Sequence, residues 1–143
     1  WGHSVINPNG PKCFCGKNGC VSNYISGNGL EAMIYDNLKI KTTAEKFLSQ
    51  EVYNDDEEDI LKNFYNYFGL ALANIINTID PDVIILGGGL SKHQNLYDQG
   101  KVMTYKNIFC DDPNTPILQN MLGDSAGVIG AALIGKYTGE KIC

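Results

Sequence analysis

The clearest hydrophobic pattern in the chain lies between residues 60 and 79. Apolar residues recur there mostly at spacings of three and four, at Ile60, Phe64, Phe68, Leu72, Ile75, Ile76 and Ile79. This period places apolar side chains on one face of an α-helix. The preceding acidic run NDDEED, at 54–59, fits the first turn, where carboxylates interact favourably with the helix dipole. The pattern therefore predicts a long amphipathic helix that ends at Asp80-Pro81.

Two shorter helices are predicted before this one. Apolar residues at helical spacing predict a helix over Asn28–Leu38. Thr42 followed by Glu45 forms a capping-box pattern, which predicts a short helix over Thr43–Gln50.

The pattern changes after residue 80. Val83–Leu86 is a β-branched run that is apolar on both faces, which predicts a buried parallel strand. A helix is expected around 92–108, a strand around 115–121, and then a small-residue helix capped by Asp124 or Ser125. Strands and helices in this order are typical of an α/β fold.

Residues 1–27 differ from the rest of the chain, because they are rich in Gly, Asn, Pro and Cys. That composition is typical of loops, so something other than an apolar core must hold this segment. We expect one domain over 1–143, with a loop region at 1–27 and a region of helices and sheet at 28–143.

The loop segment contains a metal-ligand pattern formed by His3, Cys13, Cys15 and Cys20. One imidazole and three thiolates form a tetrahedral zinc set, and four protein ligands leave no position for water. The glycines between the last two cysteines allow the tight backbone that convergence requires. The pattern therefore predicts a structural zinc site. The alternative is a loop that carries incidental or reactive thiols.

Glycines also follow the predicted strand, at Gly87, Gly88 and Gly89. Glycines between a strand and a helix allow the phosphates or ribose of a ligand to approach the backbone. Tight packing between strand and helix also requires glycine, so this motif alone leaves both possibilities open. A second turn of the same kind, LGDSAG at 122–127, by itself favours a capped and closely packed helix, but two such turns on one sheet edge indicate a nucleotide more strongly than either one does. His93 and Cys110 have no partners at metal-ligand spacing and are expected to be in solvent or core.

Composition narrows the class of protein. The chain has 143 residues, 43% hydrophobic and 19% charged, as in a globular domain. The formal net charge of −5 argues against nucleic-acid binding and against a basic membrane-binding face. No apolar run is long enough to cross a bilayer. Cysteines that ligate a metal remain reduced, which favours a cytoplasmic location.

Several segments resemble one family when they are taken together. GH at 2–3, CFCGKNGC at 13–20 and YISG at 24–27 resemble the zinc-binding signature of the ROK family (repressors, open reading frames and sugar kinases). The later segments DPDVIILGGGLS and GDSAGVIGAALI are similar to its glycine-rich segments, in the same order. The resemblance implies an α/β fold, namely an incomplete actin-like (ribonuclease H-like) lobe of a two-lobed sugar kinase that uses MgATP.

The resemblance also implies roles for individual residues. In kinase members, one ring nitrogen of the histidine matching His3 binds zinc and the other reaches a sugar hydroxyl. The residues matching Gly87, Gly88 and Gly89 lie beside the nucleotide. The family has a sugar-binding Glu at the position of Ser22, where this chain offers a shorter, uncharged side chain.

Other family parts fall before Trp1. These are a second sugar-binding Glu, the phosphate-binding loop and the catalytic Asp. Since phosphoryl transfer depends on positioned phosphates and a base, we expect this chain alone to be inactive.

The resemblance favours a hexose kinase of the fructokinase type, on the basis of YISG and the segments after residue 94. The alternatives are the sugar-sensing half of a transcriptional repressor, or a degenerate non-catalytic remnant. The expected partners are a hexose, ATP and a second copy of the chain in a homodimer, with no nucleic acid and no membrane.

Overall fold

The computed structural model describes the backbone of residues 1–139 and their side chains, except those at positions 124, 126 and 136–139. Six α-helices and two β-strands are present in this part of the chain: α1 Ser22–Ile25, α2 Gly27–Leu38, α3 Ala44–Leu48, α4 Asp55–Ile79, β1 Ile84–Leu86, α5 Gln99–Tyr105, β2 Ile117–Gln119 and α6 Ala126–Gly139. Within this part, no helix combines the length and apolar character needed to cross a bilayer.

Helix α4 is the long amphipathic helix that the hydrophobic pattern predicts. It begins with a capping box, in which the Asn54 side chain accepts from the Glu57 backbone and the Glu57 side chain accepts from the Asn54 backbone. Both bonds satisfy backbone N–H groups that a helix start leaves without partners. The helix ends at Ile79, with Asp80 in a left-handed conformation. The acidic run is thus a first helical turn, as expected.

The buried face of α4 forms the centre of one hydrophobic core. Phe64 is fully buried and shares this core with Leu30 and Ile34 of α2 and Phe47 of α3. The other buried members are Ala44, Leu48, Ile60, Leu61, Tyr65, Phe68, Leu72, Leu96 and Ile117.

Helix α5 packs closely on α4 through two glycines. A Cβ at Gly69 would clash with the backbone of Met103, and one at Gly100 would approach the Phe68 ring to 2.8 Å. These glycines allow the two helices to approach each other. The core therefore extends from α2 and α3 across α4 to α5.

The sheet consists of β1 and β2 in parallel, with Ile84 opposite Ile117 and Leu86 opposite Gln119. The expectation of a strand buried on both faces is wrong, because Ile85 is 62% exposed. Ile84 and Leu86 pack against the core while Ile85 points to the other face. Alternate residues of a strand point to opposite faces. Only one face of the described sheet is therefore covered.

Two expected elements differ in detail. The side chain that caps α3 is Thr43 rather than Thr42, and its oxygen accepts a hydrogen bond from the Lys46 N–H at 3.2 Å. The helix expected at 92–108 is divided into the 3-10 turns Gly89–Lys92 and Gln94–Leu96, followed by α5. A third 3-10 turn, at 123–125, precedes α6, and the Asp124 side chain expected to cap that helix lies outside the described residues.

The same Ile→Val substitution should change the free energy of unfolding by different amounts at a buried and at an exposed position of α4. Ile76 is 4% exposed and Ile79 is 69% exposed. Ile76→Val removes a buried methyl group and should lower the free energy of unfolding by about 1 kcal/mol. Ile79→Val makes the same change at the surface and should alter it by less than about 0.5 kcal/mol. Urea denaturation of both variants tests this, and equal losses would contradict the assigned buried face.

Candidate functional site

The four residues of the metal-ligand pattern converge in the structure. The candidate ligand atoms of His3, Cys13, Cys15 and Cys20 all lie within 4.8 Å of one another. Nδ1 of His3 lies 3.4 Å from the Cys13 sulfur, and the Cys15 and Cys20 sulfurs are 3.5 Å apart. Ligand atoms at the corners of a zinc tetrahedron are about 3.5–3.8 Å apart, given bond lengths near 2.0–2.3 Å. We call these four residues the zinc cluster.

The backbone of the loop region brings these side chains together. Val5 pairs with Cys20, and Lys12 with Asn18, in two isolated antiparallel bridges. Gly19 has φ +62°, and a Cβ there would clash with the carbonyl of Asn7. A side chain at position 19 would therefore separate the two halves of the loop that carry the ligands.

The donor set fits zinc as a structural ion. Cys13 and Cys20 are buried, at 3% and 0% exposure, while Cys15 and His3 are exposed. The four cysteines of the described chain, including Cys110, are free thiols. An imidazole and three thiols that converge from a loop with little apolar content match a closed zinc site better than incidental thiols do.

The thiols of the zinc cluster differ in acidity. Hydrogen bonding from the Cys15 backbone lowers the pKa of the Cys13 thiol to about 6. Burial, together with the neighbouring Cys15 and Cys13 thiols, raises the pKa of Cys20 to about 12. Without a metal, Cys13 is therefore largely a thiolate at neutral pH and Cys20 keeps its proton. A divalent cation must displace that proton to bind all the sulfurs.

His3 presents its two ring nitrogens to different surroundings. Nδ1 faces the Cys13 sulfur, and the ring lies edge-on to Phe14 at a centroid distance of 4.8 Å. The His3 carbonyl accepts from Nζ of Lys17 at 3.1 Å. Nε2 is thus the ring nitrogen available to another partner, since Nδ1 belongs to the zinc cluster.

Ser22, the position at which the resemblance implies a glutamate, lies beside His3. Its backbone N–H donates to the Gly2 carbonyl at 2.8 Å. Its hydroxyl oxygen is buried and has no hydrogen-bond partner among the described residues.

The loop region docks on α4 through an aromatic contact that the sequence analysis missed. Tyr24 of α1 stacks on Tyr67 of α4 at 3.8 Å between ring centroids. Nδ2 of Asn7 donates to the Tyr67 hydroxyl at 2.9 Å. Spacing along the sequence gives no signal for contacts between residues 43 or 60 positions apart. The two contacts with Tyr67 fix the position of the loop region, and with it the zinc cluster, on the core.

The two glycine-rich turns lie at the same sheet edge, because β1 and β2 are parallel and Leu86 is opposite Gln119. Gly88 has φ +84°, in a region that favours glycine. A Cβ at Gly87, Gly88 or Gly89 would meet no atom of the described residues within 4 Å. Tight packing therefore does not explain these glycines, and the space above them is open to a ligand.

A polar network that the sequence analysis missed holds the first turn. Ser91 is buried and donates its hydroxyl to the Gly88 carbonyl at 2.7 Å. Asn120, just after β2, donates to the Leu86 carbonyl at 3.0 Å and to the Ser91 hydroxyl at 3.2 Å. The Tyr97 hydroxyl donates to the Ser91 carbonyl at 2.6 Å. The shape of the glycine turn is thus fixed by side chains from three separate segments.

A pocket of about 580 Å³ opens beside this turn. Gly89 lines it, whereas Gly87 and Gly88 do not. The opposite wall comes from α2, α3 and the residue that follows α3. The full lining is Gly27, Glu31, Thr43, Ala44, Glu45, Leu48, Ser49, Gly89, Leu90, Lys92, His93 and Gln94.

His93 and Cys110 have different surroundings. Cys110 is exposed, in agreement with the expectation. His93 lies on the pocket wall, where it is hydrogen-bonded to Tyr65. The expected position, in solvent or core, included neither this pocket nor this partner.

Comparison with known proteins identifies relatives along almost the whole chain. The model of the ROK family matches residues 1–137. The chain is 34% identical to an N-acetyl-D-glucosamine kinase of Haemophilus influenzae over 125 residues, which is 86% of this chain and 41% of that enzyme. Among solved structures it is similar to a ROK hexokinase from Thermus thermophilus, with a TM-score of 0.81, 25% identity, and coverage of 92% and 45%.

A ROK family transcriptional regulator is also similar in fold, with a TM-score of 0.59 at 20% identity over 82% of this chain and 33% of that protein. The chain therefore spans less than half the length of the relatives it matches. These likenesses confirm the predicted fold class, part of the actin-like fold of ROK sugar kinases. They do not support the expected preference for fructokinase, because the curated relative described above is an N-acetyl-D-glucosamine kinase.

Cys15 and Cys110 are both exposed, but Cys15 belongs to the zinc cluster and Cys110 does not. We therefore expect metal binding to require Cys15 and not Cys110. Cys15→Ser should greatly reduce the zinc content from about one ion per chain, because it removes a ligand. Cys110→Ser is the matched control, since Cys110 is also exposed but lies outside the cluster. Elemental analysis of the purified proteins measures the difference. Full zinc content in Cys15→Ser would contradict this ligand set.

The acidities of the thiols predict how metal binding depends on pH. Because Cys20 is protonated at neutral pH without metal, zinc must displace its proton, and affinity should rise from pH 6 to pH 8. Competition with a chelator at these pH values measures the trend. Calorimetry in two buffers of different ionisation enthalpy measures proton release directly. Affinity independent of pH would contradict thiolate ligation.

Proposed function

The chain belongs to the ROK family, and we propose that it is the zinc-bearing part of an ATP-dependent sugar kinase, in which it contacts both sugar and nucleotide. The observation that carries this proposal is the convergence of His3 and three cysteines on one point of the loop. The intact kinase transfers the γ-phosphoryl group of MgATP to a hydroxyl of a hexose.

The sugar favoured by the relatives is N-acetyl-D-glucosamine. The Haemophilus enzyme that carries this name is 34% identical over most of the chain. We propose this amino sugar in place of fructose as the substrate. A regulator of the same family shares the fold at 20% identity, which does not favour the repressor alternative. The homodimer remains a prediction.

His3 has two tasks in this proposal. Nδ1 belongs to the zinc cluster together with Cys13, Cys15 and Cys20. A bound zinc ion supplies a fixed charge and geometry and takes no part in the chemical step. Ligation through Nδ1 leaves the proton on Nε2. Nε2–H then donates a hydrogen bond to a sugar hydroxyl and orients it for phosphoryl transfer.

Ser22 changes the sugar contact that the family implies. A serine hydroxyl is too short to reach where a glutamate carboxylate reaches, and its oxygen is buried in this structure. The sugar is therefore held here by fewer charged hydrogen bonds, which are the stronger kind. We expect weaker sugar binding than in a kinase with Glu at this position.

We propose the 580 Å³ pocket and the turn at Gly87, Gly88 and Gly89 as the nucleotide site. Open space above the glycines lets phosphates approach backbone N–H groups. The pocket beside Gly89 has the volume that a small ligand requires. In this arrangement the phosphates lie at the glycine turn and the nucleoside lies in the pocket.

The role of His3 predicts a separation of metal binding from sugar binding. His3→Cys supplies a fourth thiolate and should keep about one zinc ion per chain, but it lacks Nε2. Ligand-observed NMR measures the binding of N-acetyl-D-glucosamine to the zinc-loaded chain. This binding should be lost in His3→Cys and kept in Cys110→Ser. Unchanged sugar binding by His3→Cys would contradict the role of Nε2. Preferential binding of fructose by the wild-type chain would contradict the proposed substrate.

A further inference from the structure

The pocket beside the glycine turn contains a histidine that a tyrosine holds in place. His93 lines this pocket together with Gly89, Leu90 and Gln94. The Tyr65 hydroxyl lies 2.7 Å from Nε2 of His93. The two rings are nearly parallel, at 6° and a centroid distance of 6.2 Å. Since Nε2 is already bonded, Nδ1 is the ring nitrogen left for a ligand.

Tyr65 also determines which ring nitrogen carries the proton. Burial raises the pKa of the Tyr65 hydroxyl to about 12, so it stays protonated at neutral pH. The Tyr65 hydroxyl then donates this proton to Nε2, the ring nitrogen within hydrogen-bond distance, which accepts it as the unprotonated nitrogen of the imidazole. Burial lowers the pKa of His93, which keeps its ring neutral. Its remaining proton then lies on Nδ1.

The surroundings of His93 suit a nucleoside better than a phosphate. Two carboxylates, of Glu31 and Glu45, and one ammonium group, of Lys92, line the same pocket, so its described lining has no excess of positive charge to favour an anion. Leu48 and Leu90 provide aliphatic surface for a flat ring. His93 itself is a neutral donor, which matches the ring nitrogens of a purine. The open glycine turn, four residues before His93, is the better place for phosphates.

We propose that His93 binds the purine base of the nucleotide by donating a hydrogen bond from Nδ1 to a ring nitrogen, and that Tyr65 is the residue that positions it. This inference rests on the proposed nucleotide site and adds to it a residue that selects for the base. No metal ligand is involved, because the zinc cluster lies in the loop region at residues 3–20.

Two ligands separate the base from the phosphates. MgATP carries both, whereas magnesium tripolyphosphate carries the phosphates alone. The chain has two histidines, His3 and His93, so ring nitrogen signals of the ¹⁵N-labelled, zinc-loaded chain are readily assigned. MgATP should shift the Nδ1 signal of His93, and tripolyphosphate should not.

Two substitutions at His93 test how much its hydrogen bond contributes to MgATP binding. His93→Leu removes the donor and should weaken MgATP binding roughly 3- to 10-fold, as expected for one hydrogen bond, without changing tripolyphosphate binding. His93→Asn places an amide N–H near the position of Nδ1 and should bind MgATP within about 2-fold of wild type. Circular dichroism and zinc content verify that each variant is folded.

Tyr65→Phe tests the positioning role separately. Loss of the hydroxyl should move the His93 ring nitrogen shifts towards a mixture of the two tautomers in the free protein. A residue that only filled space would leave these shifts unchanged. MgATP binding should weaken, and tripolyphosphate binding should stay as in wild type.

Three results would overturn the inference. If wild type binds MgATP and His93→Leu binds it equally, His93 does not contact the base, although the nucleotide site stands. If His93→Leu weakens both ligands alike, His93 acts on the phosphates or on the fold. If wild type binds neither ligand, the nucleotide site itself is wrong and the inference fails with it.

Discussion

The structure depends first on the convergence of one imidazole and three thiols in a segment that has almost no core of its own. The loop region makes two isolated bridges and several turn hydrogen bonds. Turn hydrogen bonds of this kind each contribute little net stability. A cation at the zinc cluster adds bonds that exist only when His3, Cys13, Cys15 and Cys20 are in place together, and its binding free energy then contributes to folding. The sugar contact proposed for His3 depends on that same closure.

Helix α4 joins the loop region to the pocket beside the glycine turn. Tyr67 accepts a hydrogen bond from Asn7 of the loop region, and two residues earlier Tyr65 is hydrogen-bonded to His93 on the pocket wall. Both contacts come from a helix whose apolar face is buried in the core. Because a packed helix moves as one body, the distance between the zinc cluster and the glycine turn is set by the packing of α4. The core thus holds the zinc cluster and the glycine turn in one relative position.

The sequence patterns predicted those features that depend on residues close together in the chain. The period and acidic start of α4, the convergence of His3, Cys13, Cys15 and Cys20, and the shared edge of the two glycine turns could be predicted from spacing and residue type. The prediction of one helix over 92–108 was wrong in extent. The Ser91 hydroxyl bonds the Gly88 carbonyl and the Tyr97 hydroxyl bonds the Ser91 carbonyl, and the segment between them forms 3-10 turns, which the apolar spacing does not indicate. The exposure of Ile85 depends on what covers the sheet, and the sequence pattern contains no such information. The pairing of Tyr65 with His93 spans 28 residues and likewise leaves no periodic signal.

The most direct test of the central claim is X-ray absorption at the zinc edge of the purified chain. The account predicts a first shell of three sulfurs at about 2.3 Å and one nitrogen at about 2.0 Å, with no oxygen ligand. That shell would establish His3 as the fourth ligand and leave its Nε2 for the proposed sugar contact. A shell of four sulfurs, or one dominated by oxygen and nitrogen, would contradict the zinc cluster as the feature that organises the loop region and the sugar site.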